Sequence, residues 1–315
     1  MFQRFILPTL KRLVTLIPVA LGVCLLTFLL LHVAPGDPVR LALGDKASAE
    51  AIATRRHEWG LDKPLWVQFL DFVVGIFHGD LGDSITLNEP TATAIAQRLP
   101  PTLLLMAGGT LIGIVLALPL AILSTKKIGG FFDEFMRVFV ALLQGIPSFV
   151  LGTFVIILFG LQLKWMPVGG YGTTLMDHLV SIVLPSITIG IGLIPVLFRG
   201  FRQAILDSLE SDSVAFGKAK GLPDGLLKRD YVIRPAAVDT VNLIGLQLGS
   251  LVGGVVIVEN VFAIPGMGNL MMSAILSRDF PLVQGVVIVF AALVTVIYLL
   301  TDICYTALDP RGSMS

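Results

Sequence analysis

The stretch LVSIVLPSITIGIGLIPVLF, residues 179–198, is twenty residues long and contains no Asp, Glu, Lys or Arg. As a helix it would rise about 30 Å, the thickness of a bilayer's hydrocarbon core. A strand of a membrane barrel would be about half that length and would alternate in polarity. A membrane-spanning helix is therefore the reading, and the rest of the chain agrees with it. Of its 315 residues 55% are hydrophobic and only 14% charged, and the mean hydropathy is +0.88. A soluble domain would carry about 25% charged residues. Five further segments, 13–33, 102–124, 135–161, 240–259 and 282–300, are long and apolar enough to cross, which predicts an all-α membrane protein of about six transmembrane helices. The run at 13–33 ends in Ala34-Pro35-Gly36-Asp37 and not in a small-x-small cleavage site, so it reads as an uncleaved span and not a secretory signal. Pro18, Pro119, Pro147, Pro185 and Pro195 fall within spans, as kinks in a packed bundle allow.

The short connections fix an expected orientation. Arg4, Lys11 and Arg12 precede the first span, Lys126, Lys127 and Arg137 flank the second turn, and Arg311 follows the last span. Seven more (Arg199, Arg202, Lys218, Lys220, Lys228, Arg229 and Arg234) lie between spans four and five. Only Lys164 and Arg278 stand in the short loops on the other side, so the positive-inside rule expects both termini in the cytoplasm. The organisation expected is an N-terminus and first span over 1–33, a long extracytoplasmic loop over 34–101, and a permease core over 102–315. Within the long loop, PLWVQFLDFVVGIF (64–77) has the length and apolar content of an amphipathic helix lying on the outer membrane face or packed over the bundle, with Pro64 suited to its first turn.

Several chemistries are excluded. The 22 basic and 22 acidic residues balance, which gives no reason to expect nucleic acid as a partner. No phosphate-cradling G-x-x-x-x-G-K-[ST], nucleophile elbow or H-E-x-x-H is present. His32, His57, His78 and His178 have no ligand-like spacing. Cys24 and Cys304 read as two buried free thiols. Gly169-Gly170-Tyr171-Gly172 resembles a potassium filter only superficially and reads as a turn in an outer loop. Glu259 and Asp302 are expected near the ends of their spans, so neither demands a role at the membrane centre. No catalytic, cofactor-binding or metal residue is therefore assigned. Gly245, Gly249 and Gly253, spaced by four, form a ridge on span five along which another backbone can approach closely.

The segment at about 199–239, with SLESDSVAFGKAKGLPDGLLKRDYVIRPA (208–236) at its heart, is basic, interrupted by Gly221, Pro223 and Gly225, and bears Val214, Phe216, Leu222, Leu226 and Leu227. A plain connection needs only a handful of residues. A short amphipathic helix followed by a glycine turn reads as a docking element for a cytoplasmic partner. A gradient-driven carrier, which needs ion ligands in its spans, or a membrane-embedded enzyme, which needs a catalytic pair at bilayer depth, would not require such a segment.

Ten stretches, in this order and spacing, carry a resemblance: TFLLLHVAPGDPV (27–39), GLDKPLWVQFL (60–70), GDLGDS (79–84), RLPPTLLL (98–105), PSFVLG (147–152), MPVGGYG (166–172), LPSITIG (184–190), VENVFAIPGMGNL (258–270), RDFPLVQG (278–285) and DPR (309–311). The chain resembles the first membrane subunit of the dipeptide/oligopeptide/nickel family of binding-protein-dependent ABC importers. The resemblance implies the type I importer permease fold in a bacterial inner membrane and no cofactor in this chain, with ATP and Mg held by two partner ATPase subunits. It also implies a second homologous permease, an external solute-binding protein, and peptides, glutathione, opines, sugars or chelated nickel as the solute. The family's coupling signature is similar to Ala215-Phe216-Gly217-Lys218-Ala219-Lys220-Gly221. By resemblance, ATPase coupling falls on Val214, Ala215, Phe216, Gly217, Lys218, Ala219, Lys220, Gly221 and Leu222, within 212–235. Phe216 and Gly217 stand where the family favours other residues, and the glutamate of the broader superfamily motif is missing.

Overall fold

Thr174 and Asp177 open the apolar helix Leu175–Leu209 with a reciprocal capping box, in which each side chain accepts from the other's backbone N–H. That pairing satisfies two of the orphan donors at a helix start. In the computed structural model, which describes residues 18, 21–29, 38–43 and 47–308, every regular element among the described residues is helical apart from one isolated bridge, Asp83 to Pro90. We number the helices α1 (Pro38–Leu43), α2 (Ala49–Glu58), α3 (Leu65–Phe77), α4 (Thr91–Thr125), α5 (Phe131–Gln144), α6 (Ser148–Val155), α7 (Leu175–Leu209), α8 (Asp212–Ala219), α9 (Asp224–Leu226), α10 (Arg234–Val261), α11 (Met267–Leu276) and α12 (Phe280–Leu308). Two π-helical segments, Ile156–Gln162 and Leu227–Ile233, extend α6 and join α9 to α10.

Among the described residues, four continuous helical stretches are long and apolar enough to cross a membrane: α4, α7, Asp224–Val261 and α12. The span expected at 135–161 is instead broken. Helices α5 and α6 meet at 101° across Gly145, Ile146 and Pro147. Proline drives the residue before it out of the α region, and Gly145 already caps α5. The two together stop a helix that Pro185 and Pro195 do not stop in α7. Most of the first expected span, and Asp309-Pro310-Arg311, lie outside the described residues; residues 21–29 are helical.

The chain divides into two compact units. The larger is built on Pro101–Ile264 with the last helix from Val296 onward. Its centre is α7, whose apolar stretch is 61% buried against 22–33% for the other three. There Leu184, Leu197, Phe198 and Phe201 are almost fully enclosed. Helix α4 closes on α7 where Gly109 and Gly190 face each other, a Cβ on Gly190 falling 3.1 Å from the Gly109 carbonyl oxygen. The smaller unit contains Pro8–Pro100 together with Pro265–Thr295. Here α3 lies against Phe28, whose ring meets Phe69 edge-on at 5.4 Å and Phe72 at 6.2 Å. Asp279, fully buried, accepts from the Ser84 hydroxyl at 2.6 Å and from the Thr86 amide and hydroxyl at 2.9 and 2.7 Å. Two of the sequence stretches quoted above, GDLGDS and RDFPLVQG, thus hold each other. Cys24 is buried, whereas Cys304 is exposed on α12, so only one thiol matches the expectation of burial.

Candidate coupling site

Helix α7 does not end where its apolar run ends. It continues through Arg199 and Arg202 to Leu209, and only Glu210 and Ser211 separate it from α8. The segment expected at 199–239 is therefore largely helical, with short links at 210–211 and 220–223. Helix α8 has two distinct faces. Val214 and Gly217 are buried, and a Cβ on Gly217 would fall 2.6 Å from Leu227 Cδ1 and 3.3 Å from Leu222 Cδ1. Gly217 therefore lets α8 sit directly on the π-helical segment, whose Leu227 and Val232 are buried. That contact accounts for a glycine inside this short helix. The other face carries Ala215, Phe216, Lys218, Ala219 and Lys220, all exposed. Phe216 is 61% exposed, and the Lys220 ammonium lies 4.4 Å above its ring, a cation–π contact.

The helix ends on Gly221, at φ +72°. Its amide donates to Lys218 O at 2.9 Å, and the Leu222 amide donates to Gly217 O at 3.1 Å. This is the turn that favours glycine after a helix. Of the apolar side chains named from sequence, Val214 and Leu227 point inward, Leu222 is half-buried, and Phe216 and Leu226 face outward. Beside α8 a groove of about 460 Å³ is lined by Ser208, Ser211, Tyr231 and Arg234, among others. The π-helical segment had no sequence signature. Its backbone widens one turn below α10, and such turns recur at functional positions.

The glycine ridge on α10 resolves into three different surroundings. Gly245 faces Thr301 and Gly249 faces Tyr298, both on α12, while a Cβ on Gly253 would meet no side chain or other helix within 4 Å. Glu259, expected at an interface, is fully buried and accepts from the Thr102 hydroxyl at 2.6 Å. A buried carboxylate has to be satisfied in this way. The Gly169-Gly170 turn docks on the chain after α10, the Gly170 amide donating to Phe262 O at 2.9 Å. His57 bonds Asp62 and His178 stacks on Tyr171. No group of three or more metal-ligating side chains occurs among the described residues.

The long apolar helices define a multi-pass membrane protein. The chain belongs to the family described as the binding-protein-dependent transport system inner membrane component, whose pattern matches residues 109–313, with the companion N-terminal pattern matching 1–106. It is 36% identical over 300 residues to a glutathione transport system permease of Pectobacterium atrosepticum, covering 95% of this chain and 96% of that one. It is 33% identical over 305 residues to a probable peptide ABC transporter permease of Sinorhizobium fredii, covering 96% and 97%. A probable D,D-dipeptide transport system permease of Escherichia coli is 34% identical, with 94% of each chain covered. Among solved structures, an inward-facing form of the MetNI methionine ABC transporter superposes with a TM-score of 0.57 at 17% identity, covering 69% of this chain and 96% of that one. The fold is that of type I importer permeases. The chain is a multi-pass, channel-forming subunit and not an enzyme; ATP hydrolysis in such importers resides on separate subunits. Importers of this family work with ATPase subunits, a binding protein and a second permease.

Proposed function

We propose that this chain is one of two homologous membrane halves of a bacterial inner-membrane importer for peptides or similar small solutes. A binding protein delivers the solute to the outer face, and two ATPase subunits, holding ATP and Mg, drive its passage. The solute class rests on the relatives, which are named for peptide, D,D-dipeptide and glutathione transport. Both termini lie in the cytoplasm, as the clustering of basic residues beside α7 and α8 favours. The long loop at 34–101 then lies outside.

The observation that carries the reading is the two-faced build of α8. Gly217 seats it on Leu227 and Val214 is buried, so Phe216 projects from a helix packed against its neighbours. A rigid aromatic knob beside basic side chains suits insertion into a groove of an ATPase subunit, where such anchors carry much of the binding energy. Residues 214–222 are the contact, within a coupling element over 212–235. A photo-crosslinking benzoylphenylalanine placed at position 216 should capture an ATPase subunit, and the same group at Leu175 should not. Capture from 175 alone would place the contact at the other end of α7. Reporters fused after Asp83 and Asp212 should be external and internal respectively, and an external signal from the second would overturn the orientation.

A further inference from the structure

One carboxylate gathers three parts of the larger unit two turns before the end of α7. Asp133, in the first turn of α5, is 1% exposed. Its two oxygens accept from Arg202 of α7, at 2.8 Å from Nε and 2.7 Å from an Nη. The Gly129 amide, in the turn after α4, adds a third bond at 3.0 Å. The Arg202 side chain is 14% exposed. One turn further along α5, Arg137 and Glu134 also pair, but both are more than half exposed, and such a pair is worth little. The buried pair is different in kind. Two parallel N–H···O bonds fix orientation as well as distance.

Adhesion alone does not explain it. Met136 and Val140 already bury the same face of α5, and taking an ion pair out of water costs more than burying apolar side chains. What the pair adds is a defined geometry, and its place in the chain suggests why that matters. Arg202 lies two turns before the end of α7, and only Glu210 and Ser211 separate that end from α8. At its other end α5 turns through 101° into α6. Helix α6 is itself seated on α7 and α10, with a Cβ on Gly152 falling 3.2 to 3.5 Å from Phe262, Val261 and Thr188. The elbow is thus held on both arms.

We propose that the Asp133–Arg202 pair is a strut that carries displacement of the coupling helix into the α5–α6 elbow, making both side chains positioning residues for coupled transport. The inference rests on the reading of α8 as the ATPase contact. Without the strut, α5 can slide on α7 and the movement is lost between them.

The test uses the whole complex reconstituted in lipid, with its binding protein saturated by a mixed-dipeptide pool as the stimulus. Asp133→Asn and Arg202→Gln should retain the ATPase subunits on purification, yet the ratio of stimulated to basal ATP hydrolysis should fall about fivefold or more, within the range by which mutations along coupling networks act. Arg202→Lys, which retains the charge without the fork, should fall between the parent and Arg202→Gln. The double variant should be no worse than either single, the signature of two groups acting as one. A parental stimulation ratio in an assembled Asp133→Asn complex overturns the proposal. So does loss of assembly in Asp133→Asn and Arg202→Lys alike, because the pair would then only hold the fold. Phe216→Asp, run in parallel, separates the two readings. If it retains both the ATPase subunits and the stimulation, the α8 contact itself is wrong. If it loses them while Asp133→Asn behaves as the parent, only the strut is wrong.

Discussion

Gly245, Gly249 and Gly253 share one ridge of α10, yet the side chains they meet differ in how far they can yield. A Cβ at Gly245 would fall 2.7 Å from Thr301 Cβ, next to the backbone of α12 on a β-branched side chain with little freedom. At Gly249 the obstacle is the Tyr298 hydroxyl at 2.6 Å, the far end of a ring that can swing. We expect leucine to lower the thermal midpoint of the purified protein most at 245, less at 249 and hardly at 253. The loss at 249 should be about 1–3 kcal/mol, the usual cost of overpacking. Equal losses at 245 and 253 would remove Thr301 as the cause. In the other unit, burial pushes the Asp279 carboxyl up, but the bonds from Ser84 and Thr86 outweigh it and leave the group below its ordinary value. Because the folded value is the lower one, the stabilisation is fully present above about pH 3.9 and is lost as pH falls through the folded value. Asp279→Asn should remove about 1–3 kcal/mol at neutral pH and make residues 79–90 more sensitive to protease. A parental cleavage rate would contradict that. The link was illegible in the sequence, since Ser84 and Asp279 are 195 positions apart and nothing local in either stretch names the other.

At the scale of elements, what could be read was what local chemistry dictates. The Gly221 turn follows from a short helix meeting glycine, and the helix at 65–77 from its apolar spacing. The break between α5 and α6 was not readable, because hydropathy counts residues without regard to direction. Pro147 looked like Pro185 and Pro195, and only the neighbouring Gly145 separates a stop from a tolerated proline. The seating of α8 was hidden for a similar reason. Gly217 meets Leu227 only because a π-helical segment brings it there. Helix α3 carries the next prediction. One side meets Phe28, while Trp66, Leu70, Val74 and Phe77 are exposed along the other, at 52 to 83%. In a variant whose sole tryptophan is Trp66, with Trp59 and Trp165 changed to Phe, brominated lipids should quench the fluorescence, as for a helix lying in the interface. Quenching that appears only with a water-soluble agent would show that this face is turned to water or to a protein.

At the scale of the molecule, the membrane class was legible from composition alone, and the family from ten short stretches in order. The chemistry of the solute was not, because no motif in the sequence marks a ligand set for it. What the structure adds is a mechanical layout. A two-residue link joins α7 to α8, a short helix with one aromatic side chain raised above its surface. If that helix transmits ATPase movement, its outer face and its terminal turn should be separable from assembly of the outer side. Phe216→Asp places a charge in a groove that excludes water, and Gly221→Val forces a β-branched residue toward positive φ. The deciding measurement is ATP hydrolysis by the reconstituted complex with and without loaded binding protein. The account predicts that both variants still capture the binding protein but lose its stimulation of hydrolysis, whereas stimulation and uptake at the parent's rate in both would show that α8 is not the coupling element.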